Sequence, residues 1–122
     1  MGLRILLADD EEDILEVVQD RLTACGFTVT TAVNGLEALK KLTSERFDGV
    51  FLDVKMPEMT GIEVLEAIRK SDKIIPVIIL TSSTSLEVAV ASLAMGANEY
   101  VLKPFDWSEL KAKIEKVFNI AL

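Results

Sequence analysis

Asp9 and Asp10, Asp53, Thr81 and Lys103 each close a short apolar run: RILLADD, GVFLD, VIILT and EYVLK. A carboxylate can act as a nucleophile or hold a cation, a hydroxyl can donate to an anion, and a lysine can neutralise one. Three carboxylates brought together repel and raise one another's pKa unless a cation sits among them. The chain contains no histidine. That excludes His-based metal ligation, Ser-His-Asp and Cys-His catalysis, and phosphohistidine chemistry within the chain. An oxygen-only donor set suits a hard cation such as Mg2+. Taken singly, each residue has a plainer reading. Asp9 or Asp10 could cap a helix, Asp53 could be a solvated loop acid, Thr81 a loop cap and Lys103 a surface charge. Whether they form one site depends on the elements that carry them.

Two patterns alternate along the chain. Residues 3–8, 49–52 and 76–80 are nearly continuous apolar runs, as expected of strands buried on both faces. Residues 27–32, FTVTTA, alternate apolar and polar and predict an edge strand. Residues 99–103 form the fifth strand, which Pro104 closes. Pro76 is tolerated at the first position of its strand, where no ladder donor need be lost. Between the strands lie helical spacings. Ile14, Val18, Leu22 and Cys25 recur on one side until Gly26 stops the helix. Asn34-Gly35 precedes a helix with Leu36, Leu39 and Leu42 on one side. Further helices are predicted at 61–70, 85–95 and 106–118, the last carrying Leu110, Ile114, Val117 and Phe118.

Five strands alternating with five helices predict parallel crossovers and a sheet covered on both faces. The fold class is therefore an α/β/α three-layer sandwich, one domain spanning 1–122. Ligands of such sheets bind beyond the carboxyl ends of the strands. That is where the three acids, the hydroxyl and the lysine fall. No dinucleotide or P-loop glycine signature occupies the loops.

Twenty acids against thirteen bases give a net charge of -7, which argues against direct nucleic-acid binding and suits cations or a basic partner. The single Cys25 allows no internal disulfide. The first residues carry no signal peptide, and no apolar run is long enough to cross a membrane. A reducing cytoplasm is the expected location.

The segments ADDEED (8–13), LDVKMPEMTG (52–61), LTSS (80–83) and GANEYVLKPF (96–105) together resemble the receiver domain of two-component response regulators. The match runs through the whole chain in order. The resemblance implies a strand order of 2-1-3-4-5, which is also the order that a chemotaxis receiver exemplifies among doubly wound folds. It implies that Asp53 is a phosphoacceptor, and that Asp10, Asp53 and the Lys55 backbone carbonyl bind Mg2+ directly, with Asp9 acting through water. Thr81 would hydrogen-bond the phosphoryl group, Lys103 would pair with it, and Tyr100 would turn inward as Thr81 moves. The Lys103-Pro104 bond would be cis. The donor would be a phosphohistidine of a sensor histidine kinase or histidine phosphotransfer protein. The output would be a partner protein or an attached domain. Such a chain is a switch that assists its own phosphotransfer and autodephosphorylation, not an enzyme with an external substrate.

Other features have two readings. Lys55 and Ser83 take variable positions beside the reactive carboxyl and would tune phosphoryl lifetime; Lys55 is otherwise a solvated loop lysine. Ser82 is small, as access to the site requires. Cys25 reads as a buried thiol, and Trp107 as half-buried packing. In the fourth predicted helix, Leu86, Ala89, Val90 and Leu93 are expected to face the core. Val88, Ala91 and Met95 are expected to form a second, outward stripe for a homodimer or output domain. Two other functions compete with the switch: a Mg2+-dependent aspartyl-phosphate phosphatase and a phosphate-independent interaction module. The phosphatase would want a second acid where Lys55 stands.

Overall fold

The computed structural model describes residues 2–71 and 74–122. Five strands and five helices alternate among them: β1 (Arg4–Ala8), α1 (Glu12–Ala24), β2 (Thr28–Ala32), α2 (Gly35–Ser44), β3 (Gly49–Asp53), α3 (Gly61–Ser71), β4 (Val77–Ser82), α4 (Leu86–Ala94), β5 (Glu99–Lys103) and α5 (Trp107–Phe118). A short 3-10 turn, Ser83–Ser85, joins β4 to α4. The strands form one parallel sheet in the order β2-β1-β3-β4-β5. This is the three-layer α/β architecture and strand order expected, with the alternating FTVTTA segment at the edge.

The sheet divides the core in two. Side chains alternate between its faces, so Leu6, Val50, Leu52, Val77 and Ile79 pack with Ala38, Val64, Leu65 and Ile68. Ile5, Leu7, Phe51, Ile78, Leu80 and Val101 pack with Leu15, Val18, Leu22, Leu110 and Ile114 on the other side. Central strand β3 is buried along its length, Asp53 included.

Three helix faces differ from the sequence expectation. In α1 the buried residues are Leu15, Val18 and Leu22, while Ile14 and Cys25 are half-buried at the margin of the core. In α2 the buried residues are Gly35 and Ala38, and Leu36 is exposed. A Cβ at residue 35 would meet the Met59 carbonyl oxygen, so the start of α2 presses on the loop after β3 as only glycine permits.

The largest correction concerns α4. Its buried residues are Ala89 and Ser92, whereas Leu86, Val90 and Leu93 are exposed by 43%, 48% and 39%. Of the expected outward stripe, Val88 and Ala91 are exposed, but Met95 is half-buried and packs against the core. The reason is steric and polar together. Small residues let the helix approach the sheet, and the buried Ser92 hydroxyl is satisfied by donating to the Ala89 carbonyl at 2.6 Å. A helix apolar on nearly every side offers hydrophobic periodicity nothing to choose between.

Candidate functional site

The site is assembled by register. Asp53, the end of β3, pairs with Leu80, and Lys103, the end of β5, pairs with Ser82 two residues further along β4. The ends of β3, β4 and β5 therefore open on the same edge of the sheet, with β3 stopping first. Ala8, the last residue of β1, pairs with Leu52, which places Asp9 and Asp10 beside Asp53. The loop after β3 is held back over the site. The Gly61 backbone N–H donates to the Val54 carbonyl at 2.9 Å, and a Cβ at Gly61 would strike the Asp53 carbonyl oxygen. Thr60 and Glu63 then start α3 with a reciprocal capping box. The Lys103-Pro104 peptide is cis.

All five sequence-selected polar residues meet at this end. The Lys103 ammonium donates to Asp9 Oδ2 at 2.6 Å and to Asp53 Oδ2 at 3.2 Å. Asp9 is fully buried, Asp53 and Lys103 nearly so, while Asp10 is exposed. Asp9 does not cap α1 with its side chain as the plainer reading has it. The N-cap is Glu11, without a side-chain cap bond, and Asp9 Oδ1 instead accepts from the Glu11 N–H at 2.9 Å. Thr81 is fully buried, and its hydroxyl has no hydrogen-bond partner among the described residues. Such an orphan is costly, and here it lines the same cleft as Asp10, Asp53, Lys55, Ser82 and Lys103, a space of about 220 Å³. A larger, mainly apolar cleft of about 330 Å³ opens at the opposite end of the sheet between Leu42, Phe47, Ile68 and Ile75. It contains none of these groups.

Burial pushes the Asp53 carboxyl up to about 7, and the neighbouring Asp9 charge pushes the same way against the pull of Lys103. Burial acts to lower the Lys103 pKa, but hydrogen bonding and charge from Asp9, with Asp53 and Glu11 beyond it, outweigh burial and raise it. One ammonium therefore serves a carboxylate excess. Carboxylate oxygens of Asp9, Asp10, Glu11 and Asp53 all lie within 4.8 Å of one another, a cluster that could hold a metal ion. Oxygen-only donors and surplus negative charge fit a hard divalent cation.

Glu11 is the residue that sequence reasoning missed. It reaches Lys103 Nζ at 3.1 Å, although the run DDEED reads as an acidic helix start. The available signal was its place immediately after Asp10 and a side chain one methylene longer. Lys55 is exposed; its backbone N–H points to Asp53 Oδ1 at 3.3 Å. Ser83 lies in the turn after β4, and its side chain falls outside the described residues. Tyr100 is half-buried against the core on the side of α2 and α3. Val88, Ala91 and Met95 take no part in this cleft. Trp107 is half-buried, with the Arg21 guanidinium 5.9 Å from its ring centre.

Comparison with known proteins agrees with the geometry. The model of the response regulator receiver domain family matches residues 5–115. The transcriptional regulatory protein PrrA of Mycobacterium tuberculosis is 40% identical over 116 residues, which are 95% of this chain and 50% of PrrA. This chain thus spans about half the length of that regulator. A solved response regulator receiver domain protein from Clostridium thermocellum superposes with a TM-score of 0.89 at 34% identity, covering 96% of this chain and 94% of that one. The response regulator TrrA of Thermotoga maritima, solved in complex with Mg2+-BeF, gives a TM-score of 0.85 at 43% identity, covering 96% and 99%. Fold, strand-end acids and sequence kinship agree, and the chain belongs to the response regulator receiver domain family.

Proposed function

We propose that this chain, residues 1–122 acting as one receiver domain, is a phosphoacceptor switch in which Asp53 receives a phosphoryl group. The observation that carries the reading is the orphan Thr81 hydroxyl, buried in the same cleft as the Asp53 carboxylate and the Lys103 ammonium. A phosphoryl oxygen supplies the acceptor that Thr81 lacks.

In the reaction, an Asp53 carboxylate oxygen forms the new P–O bond as the bond from phosphorus to the donor nitrogen breaks. The electron pair of that bond returns to the imidazole of a phosphohistidine. The donor phosphohistidine lies outside these 122 residues, which contain no histidine; a sensor histidine kinase or a histidine phosphotransfer protein supplies it. Asp10, Asp53 and the Lys55 carbonyl would hold Mg2+ directly, and Asp9 would act through water. When bound, Mg2+ supplies positive charge to the equatorial oxygens of the transition state. Lys103 neutralises the same charge from the buried side, and Thr81 donates to it. Hydrolysis of the acyl phosphate at this site would reset the switch, with Lys55 and Ser83 tuning the lifetime.

Phosphorylation works by preferring one of two conformations, and movement of Thr81 with inward rotation of Tyr100 is the conversion we assign. The output is a partner protein or an attached domain, and the exposed apolar residues of α4 are available to a second copy or that partner. The cytoplasm, where such kinases deliver their phosphoryl groups, is the assigned location. The test is labelling with acetyl phosphate and Mg2+, followed by intact mass. The wild type is expected to gain one acid-labile phosphoryl group and Asp53→Asn none. Full labelling of Asp53→Asn would sink the assignment.

A further inference from the structure

The Lys103 ammonium has three N–H donors, and three carboxylates take them: Asp9 at 2.6 Å, Glu11 at 3.1 Å and Asp53 at 3.2 Å. A phosphoryl oxygen arriving on Asp53 finds no free donor on Lys103 until one carboxylate leaves. Asp9 is poorly placed to leave. It is fully buried, and its other oxygen is held by the Glu11 N–H at 2.9 Å. Asp53 is the acceptor itself. The Glu11 side chain is 59% exposed, so water can replace Lys103 around it at little cost.

We propose that Glu11 is a positioning residue that holds back the third N–H of Lys103 and so limits the rate at which Asp53 is phosphorylated. This rests on the reading of Asp53 as the phosphoacceptor. Glu11 swings into solvent as the phosphoryl oxygen takes its place on Lys103. No cap is lost when its side chain is shortened, since Glu11 makes no side-chain cap bond to α1.

Two effects of Glu11 can be separated by length. Glu11→Asp keeps the charge but falls short of Lys103, whereas Glu11→Ala removes both charge and reach. Glu12→Ala removes a neighbouring exposed charge that is absent from the Lys103 contacts. The probe is acetyl phosphate at fixed Mg2+: a P–O bond forms to Asp53 as acetate departs with the electron pair of its own P–O bond. Initial rates are read by intact mass. Hydrogen exchange of the Lys103 ammonium is read by nitrogen-detected NMR in the absence of Mg2+.

Glu11→Ala and Glu11→Asp are both expected to be phosphorylated roughly 1.5-fold to fivefold faster, as loss of one partly exposed ion pair implies. Both should show faster Lys103 ammonium exchange, with Glu12→Ala unchanged in each measurement. A wild-type rate for Glu11→Asp with a faster Glu11→Ala overturns the proposal in favour of simple charge repulsion. Equal or slower rates for both variants also overturn it. A wild type that takes no label removes the phosphoacceptor reading and this proposal with it.

Discussion

The Lys103 ammonium lies 2.6 Å from Asp9 Oδ2 although 94 residues separate the two in the chain. Both are buried, and Asp53 shares the same ammonium at 3.2 Å. The pair carries the end of β5 to the end of β1 across β3 and β4, so one cation ties the site together.

Removing that cation leaves two carboxylates in the protein interior. Lys103→Met is expected to cost about 3 kcal/mol of stability at pH 8. The loss should shrink at pH 5, where Asp53 protonates. Urea unfolding at the two pH values, without Mg2+, measures both. An unchanged midpoint at pH 8 would show that water, not Lys103, compensates the acids.

Asp53 gives the metal-free protein a pH dependence of defined sign. Burial, with the Asp9 charge behind it, raises its carboxyl from 3.8 to about 7 in the folded state. Between these values the folded chain holds a proton that the unfolded chain has released. Stability is therefore greatest below the lower value and falls as pH rises through the upper one. Asp53→Asn should flatten this fall and be more stable than wild type at pH 8 by at most about 4 kcal/mol. Thermal unfolding from pH 4 to pH 8 reads the difference between the curves. Mg2+ should reduce it, since a bound cation favours the ionised form.

The orphan hydroxyl predicts opposite effects in the two states. Thr81→Val removes an unsatisfied buried group at nearly constant volume. It should stabilise the unphosphorylated protein by about 1 kcal/mol. The same change should weaken beryllofluoride binding by about tenfold, because a donor to the phosphoryl mimic is gone. Urea unfolding and titration with the mimic in Mg2+ provide the two readings.

The orientation of α4 is tested by two substitutions with contrasting costs. Leu93→Ser, on the exposed side, should change stability by less than about 0.5 kcal/mol. Ala89→Leu, on the buried side, should cost about 1–3 kcal/mol through overpacking. The reverse order of costs would restore the orientation expected from hydrophobic spacing.

Much of this protein was legible in the sequence because its strong signals are local. Apolar runs of strand length alternated with helical spacings, so the parallel architecture followed from connection rules. The polar residues that end those runs then had to collect at one edge of the sheet. Asp9, Asp10, Asp53, Thr81 and Lys103 were each visible for that reason. Helix faces were less legible. Leu36, Leu86, Val90 and Leu93 looked like core residues by hydrophobicity, yet Gly35, Ala38, Ala89 and Ser92 occupy the buried faces. Close approach of a helix selects small side chains, and hydrophobic periodicity does not score smallness.

The sequence by itself determined the elements, their parallel arrangement and the chemical types gathered at the strand ends. Those properties depend on short-range spacing and on the chirality of crossovers. Only the tertiary structure decided that Lys103 is shared by three carboxylates, that Glu11 is one of them, and that the Thr81 hydroxyl is left without a partner among the described residues. These are relations of distance and burial between residues far apart in the chain. They depend on how the strand ends register and on which side chains water can still reach, and no local pattern encodes either.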